Sequence, residues 1–202
     1  MATSVRQKRG YHHGELRVAL VHAAGALLRE RGPAGLTLRE AARRAGVSHG
    51  APYRHFANRE ALLSEVALEG FARLSEALRE AAPHGGHAVA QAYVRFALGQ
   101  PQRFRLMFSG ESGSVEQRPW SEAAHDTARA FAEGFSGFAR GQEETQRAAA
   151  AAWALVHGLS QLMLDGRIGP AATDQEARER FVGEVLSAVR FIFRARPAQF
   201  VA

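Results

Sequence analysis

Apolar residues recur at three- and four-residue intervals through most of the chain, and no stretch alternates strictly, which predicts helices and no strands. Leu16, Ala19, Leu20, Ala23, Ala24, Leu27 and Leu28 form one stripe, so a first helix is expected from near Gly14 until Gly32 and Pro33 stop it. Thr37 with Glu40 three residues later has capping-box spacing. Leu38, Ala41, Ala42 and Ala45 then share a face, while Arg39, Arg43 and Arg44 lie outside it. Gly46 is expected to end this second helix in a left-handed conformation. Val47 would plug the following angle, and Ser48 would cap a third helix. That helix presents His49, Gly50, Ala51, Tyr53 and Arg54 before Phe56 returns to the core. Pro52 falls in its first turn, where few amide hydrogen bonds exist to lose. Two short helices joined by a tight turn predict a helix-turn-helix whose second helix enters the major groove of DNA.

A fourth helix, capped by Asn58 with Ala61 at its third position, carries Leu62, Leu63, Val66, Ala67, Phe71, Leu74 and Leu78 on one face to about Ala82. The run Pro83-His84-Gly85-Gly86 reads as a domain boundary. Beyond it, helices are expected over residues 87–98, 101–108, 119–139, 143–164 and 173–194, with a loop over 109–118. The fold class is therefore all-α with about nine helices. A basic arm and helix-turn-helix occupy residues 1–62, and the fourth helix connects them to a helical domain over 83–202.

Charge sharpens this picture. Residues 1–60 hold 11 Lys/Arg against 4 Asp/Glu, a net of +7, whereas residues 61–202 carry −1. The basic excess thus coincides with the helix-turn-helix, as phosphate neutralisation requires. Arg6, Lys8 and Arg9 sit in a polar arm that either touches the DNA beside the bound helix or is an untethered tail. Cysteine is absent, which excludes disulfide scaffolds, thiol catalysis and cysteine-based metal sites. No apolar run approaches the roughly 18 residues that span a bilayer, so a cytoplasmic protein without a membrane partner is expected. No Gly-x-Ser-x-Gly, zinc-ligand or phosphate-loop pattern is present, so neither an enzyme nor a cofactor is expected.

The capped Thr-Leu-Arg-Glu-Ala-Ala helix, Gly-Val-Ser, Tyr-Arg-His-Phe and the Asn-Arg-Glu-Ala-Leu-Leu helix start together resemble the TetR family of one-component bacterial regulators, over about residues 10–65. By position, His49 and Ala51 are the candidate base readers, with Gly50 permitting close backbone approach and Arg54 assisting. The resemblance implies phosphate contacts by Tyr53 and His55, with Arg59 a further backbone clamp. Thr37 would offer its helix N-terminus to a phosphate beside Arg39, and Ser48 opens the reading helix. His12 and His13 match the family's entry to the first helix and suit phosphate contact; metal binding by this pair lacks a third ligand nearby. Arg43 and Arg44 read as solvated surface.

In the second half, Tyr93, Phe96 and Ala97, then Pro101 with Phe104, Arg105, Leu106, Met107 and Phe108, then Trp153, Val156, His157 and Gly158, resemble a TetR subgroup described by a Trp-His-Gly signature. Phe96, Phe104, Met107, Phe108, Phe131, Phe135, Phe138, Trp153 and His157 concentrate bulky groups. They suit a hydrophobic core, and the resemblance implies an effector pocket among them. His157 is expected to be buried on a backbone carbonyl, with ligand contact the second reading. Arg103 and Arg105 either meet an anionic effector or simply complete an amphipathic face.

The last two helices have wide apolar faces, and in similar proteins they form a four-helix dimer interface. Homodimerisation agrees with the need to place two reading helices about 34–36 Å apart on a near-palindromic operator. The combined expectation is a ligand-responsive transcriptional repressor bound to double-stranded DNA and released by a small apolar effector. An activator, or an architectural binder without ligand control, is the alternative on the same fold.

Overall fold

The computed structural model describes residues 13–109, 121–136 and 141–189. The basic arm, His12, Phe138, and parts of the loop and of two helices expected over 109–118, 119–139 and 173–194 lie outside the described residues. Two compact units divide the chain between Val66 and Ala67.

The first unit contains α1 (His13–Arg31), a 3-10 turn Pro33–Gly35, α2 (Leu38–Ala45), a second 3-10 turn Pro52–Arg54, and the beginning of α3 (Arg59–Ala81). Leu20, Leu27, Leu36, Ala41, Ala42, Phe56 and Leu62 form its buried interior. The chain reverses after α2 at Gly46, whose φ of 71° is left-handed. Its amide bonds to Arg43 O at 3.2 Å, and that of Val47 bonds to Ala42 O at 3.0 Å, the paired bonds of a Schellman motif.

The reading element departs from expectation. Over residues 48–56 the chain forms a turn followed by one 3-10 turn, Pro52–Arg54, instead of an α-helix, and Phe56 N closes an i to i+4 bond to Pro52 O at 2.9 Å. Ala51 N donates to Ser48 O at 3.0 Å, Arg54 N to Ala51 O at 3.3 Å, and His55 N to Pro52 O at 2.9 Å. Pro52 has no N–H, so the α-helical bond from residue 52 back to Ser48 cannot form, and the tighter 3-10 turn takes its place. Eight α-helices, not nine, are therefore found among the described residues.

The second unit holds the rest of α3, then α4 (Gly86–Gly99), α5 (Pro101–Phe108), α6 (Ser121–Glu133), α7 (Gln142–Leu164) and α8 (Gln175–Ala188). α4 is central: it packs against α5, α6, α7 and α8, with Val89, Ala90, Tyr93, Val94 and Ala97 wholly buried. α3 adds Phe71, Leu74 and Leu78. A buried Ser75–Thr127 hydroxyl pair, 2.8 Å apart, joins α3 to α6. α6 ends at Glu133 rather than continuing to 139. Gly134 follows, and the chain turns through bonds from Phe135 and Ser136. Asp174, one residue beyond the expected start, caps α8 by accepting from Ala177 N at 2.9 Å. Among the described residues, no helix is long and apolar enough to cross a membrane.

Candidate functional site

The outer surface of the first unit is built around two capped helix starts. Thr37 Oγ1 accepts from Glu40 N at 3.1 Å, and Asn58 Oδ1 accepts from Ala61 N at 2.8 Å. Only half of the capping box forms. The Glu40 carboxylate takes hydrogen bonds from Arg43, at 2.8 Å at the shortest, and from Arg31 at 3.3 Å. Two guanidinium groups outcompete a single amide for that carboxylate. The Arg43 hydrogen bond, foremost, holds the Glu40 carboxyl below the ordinary carboxylate range.

These pairs sort the arginines of the unit. Arg44 grips Glu30 through two hydrogen bonds of 2.7 and 2.6 Å, Arg43 and Arg31 share Glu40, and Arg17 meets Glu65 at 2.7 Å. Arg59 donates Nε to Leu36 O at 2.9 Å and its terminal nitrogen to Pro33 O, so it ties the start of α3 to the turn before α2. Arg29, Arg39 and Arg54 are exposed and have no such partner among the described residues. They share the exposed class with Thr37, Ser48, His49, Gly50 and Tyr53, while Ala51 and His55 are half-buried. Tyr53 is 56% exposed, so its ring does not serve the core. Phe56 does: it is buried, with the Arg17 guanidinium 5.5 Å from its ring centre. The Ser48 hydroxyl forms no cap among the described residues; its carbonyl closes the turn instead.

In the second unit the aromatic residues assemble around Tyr93, which carries part of the family resemblance but is not among the site candidates of the sequence. Its ring meets Phe104 and Phe131 edge-on, both at 5.8 Å, and Trp153 at 6.4 Å. Its hydroxyl lies 3.1 Å from Trp153 Nε1 and 2.9 Å from His157 Nδ1. Indole N–H can only donate, so the phenol accepts from Trp153, and its own O–H donates to His157 in the tautomer whose Nδ1 carries no proton. His157 is thus satisfied by a phenol rather than the expected backbone carbonyl. Burial pushes the His157 pKa down and the Tyr93 pKa up, consistent with a neutral chain of three groups.

Phe104, Met107, Phe131 and Phe135 are fully buried, Phe96 nearly so, and Phe108, Trp153 and His157 half-buried. Phe108 lies against His157 at 4.8 Å and Phe104 at 4.9 Å. An open groove of about 620 Å³ on α3 and α4, and a cleft of about 70 Å³ between α4 and α8, are lined by other residues. Of the eight described candidates, Phe138 lying outside the described residues, only Phe96 borders either of them, at the groove. Arg103 and Arg105 are engaged within the protein: Arg103 pairs with Glu69 at 3.0 Å, and Arg105 bonds Leu164 O at 2.7 Å and Asp165 at 3.1 Å.

A capped helix, a left-handed glycine turn and an exposed basic reading turn, joined by one helix to a separate helical unit with an aromatic centre, define a helix-turn-helix regulator. Comparison with known proteins agrees. Residues 20–66 match the model of bacterial regulatory proteins of the tetR family, and residues 87–195 match that of the tetracyclin repressor-like C-terminal domain. The chain belongs to the TetR family of DNA-binding transcriptional regulators.

It is similar to a Rhodococcus protein of unknown function at 32% identity and TM-score 0.72, covering 94% of this chain and 100% of that one. It shares the fold of a Rhodococcus regulator in the tetR family at 21% identity and TM-score 0.63, covering 90% and 98% of the two chains. An HTH-type transcriptional repressor of Mycobacterium tuberculosis is 35% identical over 78 residues. That match takes in 39% of this chain and 42% of the relative's length.

Proposed function

We propose that the protein is a one-component repressor that binds a near-palindromic operator as a homodimer and leaves it when a small apolar effector occupies the second unit. The observation that carries the reading is the sorting of arginines on the head: Arg39 and Arg54 keep their charge for phosphate, while their neighbours Arg43 and Arg44 are paired internally. His49 and Ala51, with Gly50, read bases; Tyr53, His55 and the Thr37 helix start hold the backbone. Arg59 acts through the carbonyls of Pro33 and Leu36, setting the turn that presents Thr37.

Repression is supported by the mycobacterial relative, and dimerisation by the remaining faces of α7 and α8, where Leu162 is 45% exposed. The Trp-His-Gly subgroup suits a second unit in which Trp153 and His157 share the Tyr93 hydroxyl. The effector enters beside Phe108, Trp153 and His157, which retain exposure, and packs on Phe104, Met107, Phe131 and Phe135 behind them, with Phe96 at the edge. Release requires that the effector favour one state of the dimer, since equal affinity for both shifts nothing.

The test is fluorescence-polarisation binding to the DNA upstream of the protein's own gene, with random duplex as competitor and footprinting on the same fragment. A two-fold symmetric footprint that survives competitor and is weakened by His49→Ala supports the reading. Equal, salt-sensitive binding to both DNAs overturns it.

A further inference from the structure

The cleft between α4 and α8 contains an electrostatic imbalance. Arg178 is only 7% exposed, yet its one acceptor among the described residues is Ala172 O at 3.4 Å. Its stem is buried, but the guanidinium nitrogens without a protein acceptor are not sealed from solvent, so they are open to an anion in the cleft. Across the cleft from Arg178, Arg95 and Gln91 project from α4, and neither has a hydrogen-bonding side-chain partner among the described residues. The cleft is lined by one acid, Glu179, which already accepts from Gln175 at 2.6 Å. Two arginines against one carboxylate leave a single positive charge, next to the amide end of α8.

The remaining wall is apolar: Val94 and Leu98 of α4 face Val182 of α8. The cavity is about 70 Å³. One water needs roughly 10–15 Å³ on this measure, so the space suits a molecule of about five or six non-hydrogen atoms.

We propose that this cleft binds a short-chain monocarboxylate, its carboxylate held by Arg178, Arg95 and Gln91 and its alkyl chain lying against Val94, Leu98 and Val182. A planar carboxylate matches the guanidinium fork, and one negative charge balances the cleft. A phosphate would add a second charge beside Glu179 and leave the apolar wall unfilled. The site is separate from the aromatic centre around Tyr93 and does not depend on the effector reading given above.

The experiment is thermal unfolding and calorimetric titration of the full-length protein with sodium butyrate, against sodium chloride, acetate, phosphate and decanoate at equal ionic strength. The expected result is a saturable rise in Tm with butyrate, larger than with acetate or phosphate and absent with decanoate. Arg95→Gln changes an exposed side chain and leaves the core intact; it should weaken butyrate binding at least tenfold. Arg178→Met should abolish it, with circular dichroism checking that the variant is folded. A butyrate effect no larger than that of chloride, an unchanged effect in Arg95→Gln, or stronger stabilisation by phosphate overturns the proposal.

Discussion

The Tyr93 hydroxyl sits between Trp153 Nε1 and His157 Nδ1, bonded to both, and so joins α4 to α7 through a polar link inside an aromatic shell. Removing that one oxygen strands two half-buried polar groups. Tyr93→Phe keeps the ring packing but leaves the indole N–H and the imidazole acceptor unpaired, at a cost of about 1–3 kcal/mol. Urea unfolding, with the m-value unchanged, measures it; a variant as stable as the parent would mean that the bonds contribute nothing net.

The burial of His157 also makes stability depend on pH. Burial lowers the His157 pKa below its ordinary 6.5, so the unfolded chain takes up the proton first. No penalty is present above pH 6.5; stability falls as the pH drops below it and levels off under the folded-state pKa. Glu69 contributes in a lower window. Burial raises its pKa, but hydrogen bonds from Arg103 and Arg73 outweigh that, and the net is a carboxyl below 4.5. Its contribution is present above pH 4.5 and is lost as the pH falls through the folded value. Urea midpoints between pH 5 and 8 should slope for the parent and flatten for His157→Gln.

Gly86 opens α4 where no side chain fits. A Cβ there would stand 2.8 Å from Phe135 Cε1 and 2.9 Å from Cζ, and Phe135 is itself stacked on Phe131 at 5.5 Å. Gly86→Ala is expected to destabilise by about 1–3 kcal/mol through overpacking. Thermal melts of this variant beside Gly99→Ala, where a Cβ meets open space, separate the clash from helix propensity.

On the head, the unpaired arginines should dominate salt dependence. Arg39→Ala and Arg54→Ala are each expected to weaken operator and random DNA alike, lowering the salt slope by about 0.9 for each phosphate no longer neutralised. Arg44→Ala, whose side chain is engaged by Glu30, should change that slope less. Polarisation titrations across a salt series decide the order.

Much of the head is legible in the sequence because its signals are local. Thr37, Gly46 and Asn58 each act on backbone groups within four residues, and each does what its residue type predicts. The 3-10 reading turn escapes the sequence, because one missing amide bond at Pro52 does not distinguish the first turn of an α-helix from a 3-10 turn. Arg59 and Tyr93 are obscured for another reason. Their partners lie 23 and 26 residues away in one case and 60 and 64 in the other, beyond what periodicity reports. Tyr93 does leave a trace, a hydroxyl among the apolar positions Val89, Ala90, Val94 and Ala97.

The fastening of Arg59 has a mechanical consequence. α3 is one unbroken helix from Arg59 to Ala81, and its first side chain is bolted to the carbonyls of Pro33 and Leu36. Within the first unit, the root of α3 and the segment that launches α2 are therefore latched together by a single side chain.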